Sequence, residues 1–195
     1  TFLSLLTGYN RPDSGTLLHN GRPVRISSPA VARRLLGIEM IYQKLELAPD
    51  LTVAENLFLG EEPRRFGLFA SHRAMQSRAA AVLAALNTKI RPNDIVAELS
   101  GGEQQVVAIA RAVLFERSIV IMDEPTAAIS VQKVADVLEL IRRLRAQGKT
   151  VLLVSHRLED LLAVADRICV FFHGTIRTVL TNQGLGIADL VHAMF

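Results

Sequence analysis

Residues 99–128, LSGGEQQVVAIARAVLFERSIVIMDEPTAA, run from a serine and two glycines through a helical pattern to an apolar strand that stops at two carboxylates. Ser100, Gly101 and Gly102 stand directly before the helix, whose first turn leaves backbone N–H groups unpaired and points the positive end of its dipole forward. Glycine lets an anion come close to that backbone and the serine hydroxyl adds a donor, so the guest these residues suit is a phosphate. Val106, Ile109, Ala110, Val113 and Leu114, three and four apart, are the face the helix is expected to bury. The run Ser118–Met122 reads as a buried strand. Its end at Asp123-Glu124-Pro125 sets two acids at a sheet edge, where α/β folds place their ligands. Neighbouring residues of an extended strand face opposite ways, so one acid can hold Mg²⁺ beside phosphates while the other faces an attacking water.

Around this stretch, the chain has the length of one domain, with room for an inserted lobe, and half of its 195 residues are hydrophobic, ample for a core. No apolar run reaches the ~18–20 residues of a membrane span, and no signal peptide is visible. A single cysteine, Cys169, leaves no internal disulfide and suits a reducing compartment. The net charge of +3 comes from 22 basic and 19 acidic residues, too even a balance to point to nucleic acid. Most of the arginines read as solvated faces.

Upstream, Phe2, Leu5 and Leu6 form the expected buried face of a short helix closed by Gly8. Thr16–His19 with Asn20-Gly21 predicts a strand entering a hairpin. Ser28-Pro29 starts a helix that Gly37 closes, and the strand Ile38–Tyr42 comes next, ending at Gln43. Thr52-Val-Ala-Glu55 is a capping box for a helix ending at Gly60; Glu61–Ser71 reads as a loop, Arg73–Leu86 as a helix and Arg91–Glu98 as a connector. Downstream, Val131–Gln147 is amphipathic, with Val134, Val137, Leu138, Ile141 and Leu144 on one side and Arg142, Arg143 and Arg145 largely off it. Thr150–Val154 reads as another buried strand, capped by Ser155-His156. A helix over Arg157–Ala165, strands Ile168–Phe172 and up to Leu180 around a His173-Gly174 turn, and a helix Ile187–Phe195 complete the chain. His19, His72, His173 and His192 read as structural or idle.

The order LSGGEQQ, apolar strand, DEPT, with 23 positions from Ser100 to Asp123, closely resembles the signature and Walker B motifs of ABC-transporter ATPases. Gln43 matches that family's Q-loop, and His156, 33 positions after Asp123, its switch histidine. The resemblance implies an α/β fold: the P-loop NTPase (RecA-like) core of an ABC ATPase with an inserted helical subdomain. Residues 1–43 would be a partial ATPase core, 44–116 the helical subdomain carrying the signature, and 117–195 the rest of the core. No G-x-x-x-x-G-K-[ST] loop occurs in the sequence, yet TFLSLLTGYNRPDSGTL resembles the segment directly after that loop, with Thr1 at its second hydroxyl position. The sequence therefore reads as lacking the phosphate loop, the strands before it and the aromatic that stacks on adenine. Where many relatives have aspartate in the D-loop this chain has Ser130, a substitution found in the sugar-importing branch.

By the same resemblance the cofactors are ATP and Mg²⁺. Glu124 and His156 would be catalytic, polarising water and touching the γ-phosphate. Thr1, Gln43, Ser100, Gly101, Gly102 and Glu103 would contact nucleotide, and Asp123 and Gln43 the metal. Each ATP would be sandwiched between the phosphate loop of one subunit and the signature of a second copy. The implied partners are that second nucleotide-binding subunit, membrane permease subunits and, indirectly, a periplasmic sugar-binding protein, with no nucleic acid. The place would be peripheral, on the cytoplasmic face of the inner membrane. GIEMIYQKLELAPDLTVAENLFLG and SHRLEDLLAVADRI resemble the carbohydrate-importer branch, particularly its ribose-, xylose- and fructose-type subunits. Two other readings stand beside it: a non-catalytic docking module, and a soluble ABC ATPase of translation or DNA maintenance. The 57 positions between Gln43 and Ser100, too few for a long coiled coil, weigh against the latter.

Overall fold

Short apolar runs bounded by glycine and serine turns alternate with longer segments of helical period, and the backbone keeps to that alternation. The computed structural model describes residues 2–65, 69–127 and 129–194. In chain order it comprises α1 (Phe2–Leu6), β1 (Leu17–His19), β2 (Arg22–Val24), α2 (Pro29–Leu36), β3 (Ile38–Ile41), α3 (Val53–Phe58), β4 (Arg64–Arg65), β5 (Phe69–Ala70), α4 (His72–Ala85), α5 (Gly101–Leu114), β6 (Ile119–Asp123), α6 (Val131–Ala146), β7 (Thr150–Val154), α7 (Leu158–Val164), β8 (Arg167–Phe172), β9 (Thr175–Thr181) and α8 (Ile187–Met194).

Strands β3, β6 and β7 pair in parallel with β6 in the middle. Parallel neighbours need crossovers; α3 to α5 lie between β3 and β6, and α6 lies between β6 and β7. Val120, Ile121 and Met122 are wholly buried, as a strand covered on both faces requires. The hairpins β1–β2, β4–β5 and β8–β9 are separate antiparallel pairs. The β4–β5 pair sits in the segment Glu61–Ser71 that reads as a loop in the sequence: two residues a side are too few to leave an alternating pattern.

The caps form where the sequence places them. Ser28 accepts from the Val31 N–H, Pro29 starts α2, and Gly37 ends it at φ +64. A side chain at Gly37 would also meet Ser118 Oγ at 2.7 Å, so conformation and space both require glycine there. Gly8 closes α1 at φ +73, where a Cβ would meet Ile26 at 2.6 Å. The expected buried face of α1 is a different matter. Phe2 is 43% exposed and leans on Phe171, and Leu5 and Leu6 are only half-buried. Leu3 and Leu6 pack toward Ile26 and Ile121, while the opposite side borders an open hollow. Strand β7 is likewise half-buried and not fully buried.

Helix α5 belongs to two cores. Val107 and Ala110 join Leu57, Phe58, Leu83 and Val96 in a cluster drawn from residues 47–115. Ile109 and Ala112 join Val120, Met122, Val137, Ile141 and Leu144 in the cluster under the sheet. This two-sided contact corrects the one-face expectation. Val107 and Ala112 are fully buried, whereas Val106 and Val113 sit half-buried at the seam between the clusters and Leu114 half-buried against the first. Each fully buried aliphatic side chain contributes about 1.5–3 kcal/mol, so α5 is held from both sides at once.

A second tie is ionic. Glu39, on β3 and 5% exposed, takes Arg117 Nε at 3.2 Å, Arg33 Nε at 3.6 Å and Arg111 Nε at 3.8 Å. Arg117 also donates to both oxygens of Glu61, at 2.6 and 2.7 Å, and to the carbonyl of Arg33. Arg111 donates to the Leu59 carbonyl at 2.8 Å. Burial pulls the Arg111 guanidinium below its usual range, opposed by Glu39. The entry to α3 is pinned separately by buried Asn56, which accepts from the Ala48 N–H and donates to the carbonyls of Ala48, Leu51 and Thr52.

Replacing Glu39 by Gln leaves the nearly buried Arg117 and Arg111 facing each other without their shared anion. The expected loss is about 2–4 kcal/mol, or about 5–10 °C in Tm for a chain of this length; an unchanged Tm would show that the cluster adds nothing. At α3, the Thr52 hydroxyl and N–H hold Glu55 below its ordinary carboxylate range. A lowered folded-state pKa stabilises at pH above the unfolded value of 4.5 and is lost as pH falls through the folded value. Thr52→Ala is therefore expected to cost about 1 kcal/mol at neutral pH and progressively less below 4.5, read from urea midpoints.

Candidate functional site

Parallel pairing brings three strand ends to one edge: Ile41 lies opposite Met122, Met122 opposite Leu153, and Asp123 opposite Val154. Gln43, Asp123 with Glu124, and Ser155 with His156 all leave the sheet there. Asp123, half-buried, lines an open and mostly apolar hollow of about 510 Å³ together with Phe2, Leu3, Tyr42, Val154 and Phe171. Gln43 stands exposed beyond Tyr42. Burial, aided by Glu46, pushes the Tyr42 phenol up. Thr1 lies outside the described residues.

Glu124 does not continue the strand. It adopts φ +51, a left-handed conformation unusual for a residue other than glycine, and its N–H donates to the Val154 carbonyl at 2.8 Å. That turn separates the two acids: Asp123 faces the hollow, while Glu124 Oε2 lies 2.8 Å from His156 Nδ1. The approach is an ion-pair distance without hydrogen-bond alignment, so among the described residues Oε2 is a buried acceptor with no hydrogen-bond donor. Such an oxygen favours a proton-bearing guest. The imidazole is 72% exposed and reachable from outside, whereas the carboxylate is 16% exposed.

The glycine-fronted helix tip has a different local geometry from the one its sequence suggests. Ser100 is the N-cap of α5: its hydroxyl accepts from the Glu103 N–H and donates to Glu103 Oε2 at 2.6 Å, and its own N–H donates to the same oxygen at 2.9 Å. These bonds lower the Glu103 pKa below its ordinary range. The S-x-x-E spacing is the signal for this box, the same one that Thr52-Glu55 carries. Gly102 is buried against Lys133, whose Cβ and Cγ would stand 3.3 Å from an added methyl. It serves packing with the start of α6, and Gly101 is the exposed glycine of the pair. Gln104 reaches back to the carbonyls of Val96 and Leu99, and the amide nitrogen of buried Gln105 finds no acceptor among the described residues. Ser130 caps α6 through its carbonyl, its hydroxyl making no capping bond.

Asp123 in the hollow and Gln43 at the same strand edge carry oxygen donors of the kind Mg²⁺ takes, while the Ser100 helix start, with N–H groups of the kind a phosphate takes, does not line that hollow. The residues present fit those groups. Sequence reading missed the Glu39 cluster and the buried pair Thr126–Asp160, whose members lie 34 positions apart and carry no local signature.

Comparison with known proteins gives the same placing. Residues 1–127 match the ABC transporter family. The chain is 41% identical over 194 residues to "Ribose import ATP-binding protein RbsA 3" of Rubrobacter xylanophilus, covering all of this chain and 39% of that protein. It is 41% identical over 190 residues to "Arabinose import ATP-binding protein AraG 2" of Burkholderia thailandensis, covering 97% and 35%. The chain thus spans about two fifths of the length of these curated relatives. Among solved structures, a nucleotide-free ATP-binding cassette from an ABC transporter superposes with a TM-score of 0.82 at 24% identity, over 99% of this chain and 78% of that one. A dimeric cassette in a post-hydrolysis state, bound to ADP and Pi, superposes at 0.75 over 94% of this chain and 80% of that one, at 24% identity. With the motifs in order, the parallel sheet and the two acids at its edge, the chain belongs to the ABC transporter family and has the fold of its ATP-binding cassette.

Proposed function

We propose that this chain forms part of an ATP-hydrolysing subunit that powers a sugar importer, working as a dimer on membrane permease subunits. In this reading residues 44–116 are the helical subdomain, set between the core segments 1–43 and 117–195. The observation that carries it is the strand edge at which Asp123, Glu124 and His156 emerge together, with Glu124 Oε2 2.8 Å from His156 Nδ1. A carboxylate so placed suits the base that takes a proton from attacking water.

Asp123, facing the hollow beside α1, would hold Mg²⁺ with Gln43, leaving its remaining positions to water and phosphate oxygens, and Thr1 would contact the nucleotide. The bound ion would offset charge on the transferred phosphoryl group. His156, exposed and next to Glu124, would donate a hydrogen bond to the γ-phosphate. Gly101 and Gly102 of a second copy would supply first-turn N–H donors from the opposite side, at a tip whose shape Ser100 fixes through its bonds to Glu103. Glu103 enters as the cap that fixes Ser100 and not as a phosphate ligand. The names of the ribose and arabinose import relatives support a pentose or similar sugar as cargo, delivered by a periplasmic binding protein. The subunit would attach peripherally on the cytoplasmic face of the inner membrane; among the described residues no helix is long and apolar enough to cross a membrane.

These 195 residues alone are expected to turn over ATP slowly, since none of them matches the loop lysine. Joined to a segment ending in G-x-x-x-x-G-K-S they are expected to hydrolyse ATP. Glu124→Gln should then slow phosphate release by roughly 10²–10⁴-fold and accumulate ATP-bound dimers visible by sedimentation. A wild-type rate from Glu124→Gln would remove Glu124 as the base. An absence of ATP binding by the joined protein would favour a docking module.

A further inference from the structure

Asp160 is a buried carboxylate that the hydrolytic scheme does not use. It sits in the first turn of α7, four positions after His156, and is 3% exposed. Its Oδ2 accepts a 2.6 Å hydrogen bond from the hydroxyl of Thr126, itself 2% exposed and two positions after Glu124. Arg157 Nε lies 3.1 Å from the same oxygen, and the Arg157 N–H donates to Ser155 Oγ. The loop leaving β6 and the loop leaving β7 are therefore joined at their far ends by a charge-assisted bond shielded from water. At their near ends they are joined by the Glu124 N–H to the Val154 carbonyl.

Between those two ties lies the Glu124–His156 contact. Glu124 is held at φ +51, a conformation that persists only where its surroundings over-determine it. Pro125 and Thr126 are the residues that carry the chain out of that turn, and Thr126 is anchored to α7. We propose that Asp160 is a positioning residue: by gripping Thr126 it fixes the loop bearing Glu124 against the loop bearing His156. It touches no reacting atom. The inference rests on the proposed hydrolysis for its consequence, but its geometry is testable apart from any activity.

A local role for Asp160, as an acid stabilising the N-terminus of α7, makes a different prediction, so amide exchange in the 195-residue chain separates the two. In Asp160→Asn and Thr126→Val, exchange of the Glu124 and Ala127 amides is expected to accelerate about 10- to 100-fold, the loss of one charge-assisted bond. The Val120, Ile121 and Met122 amides of the central strand should stay at wild-type rates. Thr126→Ser, which keeps the hydroxyl, should restore protection. In the hydrolysing protein joined to its phosphate loop, the same variants should lower kcat with little change in KM, and Thr126→Ser should recover it. Acceleration confined to the Leu161 and Ala165 amides of α7, or uniform across the core, would overturn the proposal. So would wild-type exchange at Glu124 in Thr126→Val. If the joined wild-type protein does not hydrolyse ATP, the functional reading fails while the exchange result still decides the positioning role.

Discussion

The register of three parallel strands is the constraint on which the placing of every site residue depends. A slip of one residue between β3, β6 and β7 would turn every side chain to the opposite face and separate the ends that now share an edge. That register is set by burial. Ile41, Val120, Met122, Ile121 and Ile38 each find a hydrophobic cluster on one face or the other, and no shifted pairing keeps all of them dry. Asp123 and Glu124 come directly after the apolar run because the sheet ends where its side chains no longer have a covering layer. The acids are thus placed by the packing of residues that take no part in chemistry.

Around that sheet, α5 works as a shared beam. Its two buried sides join the cluster of residues 47–115 to the cluster beneath β6, and Glu39 adds an ionic joint at the same seam. The joint combines packing with a charge cluster whose members come from α2, β3, the turn after α3, α5 and the residues just before β6. Apolar contact alone resists sliding weakly, since one aliphatic surface replaces another at little cost. The fixed geometry of Arg117 between Glu39 and Glu61 resists it strongly, because a shift leaves buried charges unpaired. The orientation of the Ser100 tip relative to the sheet edge therefore depends on residues far from both.

The elements with local signals were legible in the sequence, and the long-range ones were not. Ser28-Pro29 with Gly37, the Thr52-Glu55 box and the Asn20-Gly21 turn act through neighbours in sequence, so their residue types name them. The stripe of α6 reads correctly, Val134, Val137, Leu138, Ile141 and Leu144 all being buried, because that helix has one core to face. For α5 the same rule misplaces Val107 and Val113, since periodicity finds a face and cannot find two. Phe2 and β7 are less buried than their apolarity suggests, because hydrophobicity in sequence gives a demand for cover and not its supply. Among site residues the strand-edge acids and His156 were legible from position. The tethering of the Ser100 hydroxyl by Glu103, and the packing role of Gly102, needed the three-dimensional arrangement.

The left-handed Glu124 joins these threads. Glycine or asparagine would accept φ +51 more readily, and a glutamate there costs roughly 1 kcal/mol or more relative to a relaxed backbone. The strain has a geometric return. Turned at φ +51, Glu124 keeps the strand hydrogen bond to Val154, yet swings its side chain toward the neighbouring strand's histidine. A buried oxygen without a donor is a second, independent cost at the same residue. A proton-bearing guest at that oxygen would remove the second cost, whereas the backbone strain stays as the condition for turning the carboxylate toward His156.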